Sequence, residues 1–92
     1  MQRRIQVHVL VSGRVQSAGF RAALQRNAQR WGVVGWVRNL EDGRVEAVIQ
    51  SSEANVNAMV GWCQRGPLQE FVEQVEVKRQ PLEAFSMFDL RR

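Results

Sequence analysis

The spacing of the apolar residues changes near residue 20, and this change limits the folds that are open to the chain. Residues 5–11 alternate between apolar and polar types, as in a β-strand with one buried face, and Gly13 marks the end of this strand. From Phe20 onward the spacing is helical, and Gly32 supplies a stop signal. The predicted apolar face of this helix consists of Phe20, Leu24, Ala28 and Trp31.

Two further strand-like runs surround a hairpin signal. Residues 33–39 and 44–50 have the composition of strands, and Asp42 and Gly43 lie in the turn between them. An Asp-Gly pair accommodates the positive φ angles that tight hairpin turns require. The sequence therefore predicts two strands, at residues 33–39 and 44–50, that are joined by a tight turn.

The second half of the chain contains another helix and the last strands. Ser51 or Ser52 can cap a helix that ends near residue 66. The predicted apolar face of this helix consists of Val56, Met59, Val60 and Cys63. Residues 71–79 then have the pattern of a strand, and residues 85–92 predict a short final strand.

The order strand, helix, strand, strand, helix, strand is that of a ferredoxin-like α+β sandwich. This βαββαβ fold has an antiparallel sheet with two helices on one face, and the last residues of the chain predict a possible short C-terminal edge strand. A chain of 92 residues suits one hydrophobic core. We therefore expect a single domain spanning residues 1–92.

The connection from the first strand through the helix to the second strand predicts that Arg21 and Asn39 meet. Strands joined by a crossover helix are parallel, and the connection is right-handed, so both strands finish at the same edge of the sheet. The helix descends about 18 Å at 1.5 Å per residue, and residues 33–39 climb roughly 20 Å at 3.3 Å per residue. We expect Asn39, on a neighbouring parallel strand, to lie level with the loop at residues 13–19.

Arg21 is an unusual residue for the first turn of a helix, because the positive end of the helix dipole disfavours a cation. An anion bound in the preceding loop would remove this conflict, since the unpaired amide groups of a helix start also attract anions. Helical side chains lean toward the N-terminus, so the guanidinium can reach back over the loop and offer paired donors to two phosphate oxygens. The loop lacks the Gly-Lys-Ser/Thr sequence of a Walker A element and is expected to form a backbone nest instead.

Two motifs, GRVQSAGFR at residues 13–21 and GWVRNLEDGRVE at residues 35–46, resemble the acylphosphatase family, and the resemblance extends to the ending FDLRR. It implies the ferredoxin-like fold and the metal-independent hydrolysis of small-molecule acyl phosphates to a carboxylate and inorganic phosphate, with no cofactor. It also implies that Arg21 binds the phosphate and that Asn39 orients the attacking water. The implied phosphate-binding residues are Val15, Gln16, Ser17, Ala18, Gly19, Phe20 and Arg21.

The loop departs from the family pattern at two positions. The family usually has glycine where Ser17 stands and valine where Ala18 stands. If residue 17 needs a left-handed backbone, its side chain costs on the order of 1 to 2 kcal/mol, although the serine hydroxyl can donate a hydrogen bond to phosphate. An alternative hypothesis is therefore a phosphate- or carbamoyl-phosphate-binding module with weak or no turnover, similar to the domain at the start of some hydrogenase-maturation factors.

RNA-recognition domains are a second alternative, because they share this order of elements and favour basic chains. Such domains stack bases on aromatic residues of their central strands. The central strands predicted here, at residues 5–11 and 44–50, contain no aromatic residue. We therefore expect the chain not to bind nucleic acid.

Composition narrows the remaining classes of function. The net charge of +4 favours an anionic partner. No segment approaches the roughly 20 apolar residues of a membrane span, and the N-terminus lacks the apolar block of a signal peptide. Cys63 and His8 are the only cysteine and histidine, so the chain can form neither an internal disulfide nor a zinc-ligand set. We expect a cytoplasmic monomer with no metal.

Other residues with reactive or binding side chains have structural interpretations. Cys63 falls on the apolar stripe of the second helix, and His8 falls on the sheet surface opposite the apolar residues. Glu41 and Asp42 are adjacent carboxylates in a turn, which favours turn formation over acid-base catalysis. The tryptophans are expected in the core or at its rim: Trp31, Trp36 and Trp62.

Overall fold

The computed structural model describes residues 3–16, 19–65 and 72–92. The elements are β1 (Arg4–Gly13), α1 (Phe20–Arg30), β2 (Val34–Asn39), β3 (Val45–Ser52), α2 (Glu53–Arg65), β4 (Val72–Gln80) and β5 (Phe88–Leu90). The strands form one sheet in the order β4-β1-β3-β2-β5. This arrangement is the predicted ferredoxin-like α+β fold, with the additional edge strand at β5.

The sheet is antiparallel apart from one pair of strands. β1 and β2 each pair antiparallel with β3, so they run in the same direction and end at the same edge, as predicted. The expectation that they are neighbours is wrong, because β3 lies between them and pairs with both. β5 pairs with β2 in parallel, from Gly35 opposite Phe88 to Val37 opposite Leu90, so the complete sheet is mixed.

One hydrophobic core fills the space between the sheet and the helices. The alternating residues of β1 supply the sheet side, and all four are at most 5% exposed: Ile5, Val7, Val9 and Val11. The helices supply the opposite side through residues at helical spacing: Phe20, Leu24 and Ala28 from α1, and Val56, Met59 and Cys63 from α2. Burying each valine, leucine or phenylalanine side chain stabilises the fold by about 1.5–3 kcal/mol.

The start of the second helix follows local chemistry. The backbone N–H of Asn55 donates to Ser52 Oγ at 3.2 Å, so Ser52 is the predicted serine cap. The predicted end near residue 66 lies outside the described residues, as does Phe71 of the predicted fourth strand.

Two of the three tryptophans do not lie where they were expected. Trp62 packs at the rim of the core, with its ring 5.2 Å from that of Phe20, as predicted. Trp31 is 37% exposed, because α1 ends at Arg30 and the chain turns away through Gly32 with φ +65°. Trp36 lies on the face of the sheet opposite the helices, because its neighbours in β2, Gly35 and Val37, are buried on the helix side.

The chain crosses this second face between β4 and β5, and a buried amide network holds the crossing segment. Gln6 is fully buried, and its Oε1 accepts hydrogen bonds from Gln50 Nε2 at 2.9 Å and from the Glu83 backbone N–H at 2.8 Å. Gln50 Nε2 also donates to the Glu83 carbonyl oxygen at 2.7 Å. These bonds satisfy polar groups that would otherwise be costly to bury. The hydrogen bonds also hold the segment between β4 and β5, which places β5 at the sheet edge beside β2.

Candidate active site

The loop between β1 and α1 is anchored by two side chains. Val15 is 1% exposed and packs in the core. Gln16 Nε2 donates to the carbonyl oxygens of Leu40, at 2.6 Å, and of Arg44, at 2.9 Å. The loop is thereby joined to the turn between β2 and β3. Two residues of the predicted phosphate loop, Ser17 and Ala18, lie outside the described residues.

The start of α1 combines a left-handed residue with a buried aromatic anchor. Gly19 caps the helix with φ 71° and ψ 24°, and its carbonyl accepts from the Ala23 N–H at 3.1 Å. Glycine adopts this conformation without the steric cost of a side chain. Phe20 is 1% exposed and packs against Trp62, so the helix start is fixed to the core. Because glycine has no side chain, Gly19 offers no side-chain acceptor to the backbone N–H groups of the first helical turn.

Arg21 lies in the first turn of a helix that has no acidic residue. Its Nη1 donates to the carbonyl oxygen of Arg91 at 2.8 Å. This bond uses one of the five N–H donors of the guanidinium and leaves the others for further acceptors. A positive charge at the positive end of a helix costs about 0.3–1 kcal/mol, so the position favours a bound anion.

Asn39 is the last residue of β2, opposite Val45. Its Oδ1 is buried, and no group among the described residues donates a hydrogen bond to it. The following turn is closed by the Leu40 N–H, which donates to the Arg44 carbonyl at 2.8 Å. Asn39 thus presents an unpaired acceptor from a rigid strand end, and a buried acceptor of this kind needs a donor to offset its loss of hydration.

Asp42 takes part in the turn, in agreement with its sequence interpretation. Its Oδ1 accepts from the backbone N–H of Arg44 at 3.0 Å, and this hydrogen bond is the main cause of a lowered pKa of its carboxyl group. The Arg44 Nε donates to the other carboxylate oxygen at 2.8 Å. The carboxylate therefore serves the turn as a charged acceptor.

Arg21 and Asn39 line one pocket of about 500 Å³, together with Leu90 and Arg92. The structure thus brings together the two side chains that the crossover connection predicted to meet. The pocket wall carries two guanidinium groups, one carboxamide and one apolar side chain, a combination that favours an anion with an apolar or small attached group. Sequence reasoning missed Leu90 and Arg92, because no local pattern shows beside which strand the final segment lies.

Other reactive side chains lie away from this pocket. Cys63 is fully buried, and burial raises the pKa of its thiol to about 12. His8 Nε2 lies 2.7 Å from Glu46 Oε2 on the second face of the sheet, and Arg38 Nε donates to Glu46 Oε1 at 2.5 Å. Burial alone would raise the pKa of Glu46, but the hydrogen bonds from His8 and Arg38 lower it. These residues form a hydrogen-bonded cluster on the sheet surface.

Within the described ranges, no group of three or more His, Cys, Asp or Glu side chains is arranged to hold a metal ion. In the same part of the chain, no helix is both long and apolar enough to cross a bilayer.

The family model and the similar curated proteins point to one family. The family model described as Acylphosphatase matches residues 7–90. An acylphosphatase of Synechococcus is 50% identical over 91 residues, which cover 99% of this chain and 97% of that protein.

Two solved structures extend the likeness to the fold. The acylphosphatase of Coxiella burnetii has a TM-score of 0.90 at 33% identity, and the match covers 96% of this chain and 93% of that one. The acylphosphatase of Bacillus subtilis also has a TM-score of 0.90, at 32% identity, with 96% and 99% covered. A binding module without turnover is not favoured, since these relatives match over nearly their whole length as acylphosphatases. The chain belongs to the acylphosphatase family.

Proposed function

We propose that the chain, as an acylphosphatase, hydrolyses its small-molecule acyl phosphate without a metal ion, in the pocket between Arg21 and Asn39. The observation that carries this proposal is the shared pocket, which Arg21 and Asn39 both line. Among the described residues, the recorded hydrogen bonds use one donor of the Arg21 guanidinium, so other donors are available to an anion. The guanidinium suits the phosphoryl group, and the carboxamide suits a water molecule. The reaction needs little more than these two functions.

Arg21 binds the phosphoryl group and compensates its charge as the bond to the acyl oxygen loosens. Its bond to the Arg91 carbonyl holds the guanidinium by one donor, so paired donors remain for two phosphate oxygens. The first-turn amides of α1 and the loop from Val15 to Phe20 would add backbone donors to the same anion. Positioning and charge compensation are the main contributions that proteins make to phosphoryl transfer.

Asn39 orients the attacking water. Asn39 lines the pocket, and its carboxamide can form a hydrogen bond with that water, which restricts the position of the water relative to phosphorus. The rigid end of β2 and the closed turn after it hold the carboxamide, so little rearrangement is needed during the reaction.

The chemistry balances without a general acid. The water oxygen forms a bond to phosphorus while the bond between phosphorus and the acyl oxygen breaks. The acyl group leaves as a carboxylate with the bonding electron pair, and a carboxylate needs no proton to be a stable leaving group. The proton of the water passes to a phosphate oxygen of the substrate. The products are a carboxylate and inorganic phosphate.

We further propose that the chain works as a monomer in the cytoplasm and acts as one domain over residues 1–92. Residues of a single chain supply the two proposed catalytic groups, which supports a monomer. Size-exclusion chromatography with light scattering tests this, and a dimer whose dissociation abolishes activity would contradict it.

Hydrolysis of benzoyl phosphate tests the proposed site. The parent should be active in the presence of a chelator. Arg21→Ala should abolish phosphate binding and turnover together. Asn39→Ala should lower kcat by about a hundred- to a thousandfold, the effect of removing one preorganised polar group, while the inhibition constant of inorganic phosphate changes little.

Two variants on exposed helix surfaces provide matched controls. Arg26→Ala on α1 and Asn57→Ala on α2 remove the same side chains outside the pocket and should behave as the parent. A parent that loses activity with the chelator would overturn the metal-free mechanism. Equal losses of phosphate affinity in Arg21→Ala and Asn39→Ala would contradict the separate roles.

A further inference from the structure

We propose that Arg91 and Trp36 form a clamp that positions the guanidinium of Arg21 from the opposite face of the sheet. The clamp consists of the backbone of Arg91, its side chain and the indole ring of Trp36. The inference rests on the phosphate-binding role proposed above for Arg21. It assigns Arg91 and Trp36 as positioning residues, since neither needs to touch the substrate.

The backbone of Arg91 connects β2 to Arg21. Its N–H donates to the Val37 carbonyl at 2.8 Å, which continues the pairing of β5 with β2 by one residue. Its own carbonyl oxygen accepts from Arg21 Nη1 at 2.8 Å. The strand that ends in Asn39 therefore also holds, through Arg91, the Arg21 side chain that lines the same pocket.

The side chain of Arg91 fixes this backbone to the sheet. Its guanidinium carbon lies 4.6 Å from the ring centroid of Trp36, within the range of a cation–π contact. Trp36 lies on the face opposite the helices and is centred in β2, so its ring is a rigid platform. β5 ends at Leu90, and the stacked side chain adds a second restraint on Arg91 beside its hydrogen bond to Val37.

Among the residues that the structure describes, the Arg21 side chain has one recorded hydrogen-bond partner, the Arg91 carbonyl. Its helix carries no acidic residue that could pair with it, and arginine side chains lose much rotamer freedom when they are ordered. The Arg91 carbonyl takes one of five donors, so the clamp and a bound phosphate are compatible. Pre-ordering the guanidinium means that less entropy is lost when phosphate binds.

Arg38 offers a matched comparison on the same ring. Its guanidinium carbon lies 5.4 Å from the Trp36 centroid, but its Nε donates to Glu46 at 2.5 Å. Within the described part of the chain, its recorded contacts do not reach Arg21. Removal of Arg38 thus removes the same charge, and a contact to the same ring, without disturbing the clamp.

The experiment measures the inhibition constant of inorganic phosphate, together with KM and kcat for benzoyl phosphate, in seven proteins. These are the parent, five single variants and one double variant: Arg91→Ala, Trp36→Leu, Arg91→Lys, Arg38→Gln, Arg21→Ala and Arg91→Ala/Trp36→Leu. Arg91→Ala and Trp36→Leu should each raise the inhibition constant and KM by about two- to fivefold. This factor corresponds to the free energy of one exposed cation–π contact. The value of kcat should fall by a smaller factor.

Three further results are expected. Arg91→Lys keeps a cation over the ring and should restore values near those of the parent. Arg38→Gln should match the parent. The double variant Arg91→Ala/Trp36→Leu should be no weaker than either single variant, because both changes remove the same contact.

The Trp36→Leu variant distinguishes the orientation of the Arg21 guanidinium from the total positive charge near the pocket, because it leaves every arginine in place. Normal phosphate affinity in Trp36→Leu beside weakened affinity in Arg91→Ala would overturn the clamp in favour of simple charge attraction. Additive effects in the double variant, or no recovery in Arg91→Lys, would also overturn it. Arg21→Ala is tested in parallel: if it binds phosphate as the parent does, the proposed role of Arg21 fails, and the clamp fails with it.

Discussion

The side-chain nitrogen of Gln16 lies 2.6 Å from the carbonyl oxygen of Leu40, so the loop that precedes α1 is bonded to the turn that follows Asn39. A second bond, from the same nitrogen to the Arg44 carbonyl at 2.9 Å, fixes the other side of that turn. One side chain therefore joins the loop before Arg21 directly to the turn after Asn39, in addition to their connection through the sheet.

Replacing Gln16 by alanine should weaken both the fold and the reaction. The change removes two hydrogen bonds, each of which contributes about 0.5–1.5 kcal/mol to the free energy of unfolding. Each carbonyl keeps one backbone donor, the Leu40 N–H for Arg44 and the Gly43 N–H for Leu40. We expect kcat to fall several-fold, because Asn39 directly precedes Leu40. Urea unfolding and benzoyl phosphate hydrolysis measure the two effects. Gln74→Ala, on the exposed edge strand β4, is the control, and equal behaviour of the two variants would refute the linking role.

Replacing Gly19 by alanine should destabilise the protein through backbone strain alone. An added Cβ would meet no atom within 4 Å, but φ is +71°. A side chain in this left-handed conformation costs about 1–2 kcal/mol, and asparagine should lose less than alanine because it tolerates the region better. Gly61→Ala, inside α2, has the opposite expectation of a gain of about 0.5–1 kcal/mol. Thermal unfolding of both variants measures the two changes in stability. If Gly61→Ala lost as much stability as Gly19→Ala, the backbone explanation would be wrong.

Stability should fall in acid partly through Glu46. Its pKa is lowered in the fold from the ordinary value of 4.5, because the hydrogen bonds from His8 and Arg38 outweigh the effect of burial. A lowered pKa adds stability that is fully present above pH 4.5 and is lost as the pH falls through the folded-state pKa. Glu46→Gln should therefore lose less stability than the parent between pH 6 and about pH 3. Urea unfolding across this range is the measurement, with Glu76→Gln as the charge-matched control.

The thiol of Cys63 should be unreactive in the native protein. It is fully buried, and burial raises its pKa to about 12, so the nucleophilic thiolate is scarce at neutral pH. A disulfide reagent at pH 8 should label it only as fast as the chain opens, and labelling should become rapid in denaturant. Labelling of the folded protein at the rate of free glutathione would contradict this expectation.

Much of the fold could be predicted because its signals are local. The alternation at residues 5–11, the helical spacing from Phe20 and the Asp42-Gly43 turn each act within a few residues, and the structure has the corresponding strand, helix and hairpin. The meeting of Arg21 and Asn39 followed from the rules for crossover connections rather than from either residue alone. Both therefore line one pocket as expected.

The remaining features depend on contacts between distant segments. Gln16 was expected to contribute backbone amides, and its side-chain bonds to Leu40 and Arg44 could not be read from its own neighbourhood. Trp36 is a large apolar residue and was therefore expected in or near the core. The alternation of side chains along β2 places it on the second face of the sheet, where the guanidinium of Arg91 stacks on its ring. The parallel pairing of β5 depends on the path of the segment across that face, which no local pattern encodes.

The order of the strands also has a consequence for the speed of folding. Gln6 and Gln80 are opposite each other in the pairing of β1 with β4, although they are 74 residues apart in the chain. Bringing such distant segments together loses loop entropy before any contact compensates for it, and topologies of this kind reach the native state in milliseconds to seconds rather than microseconds. We expect stopped-flow refolding of this small enzyme to be correspondingly slow, with the β1–β4 pair forming late.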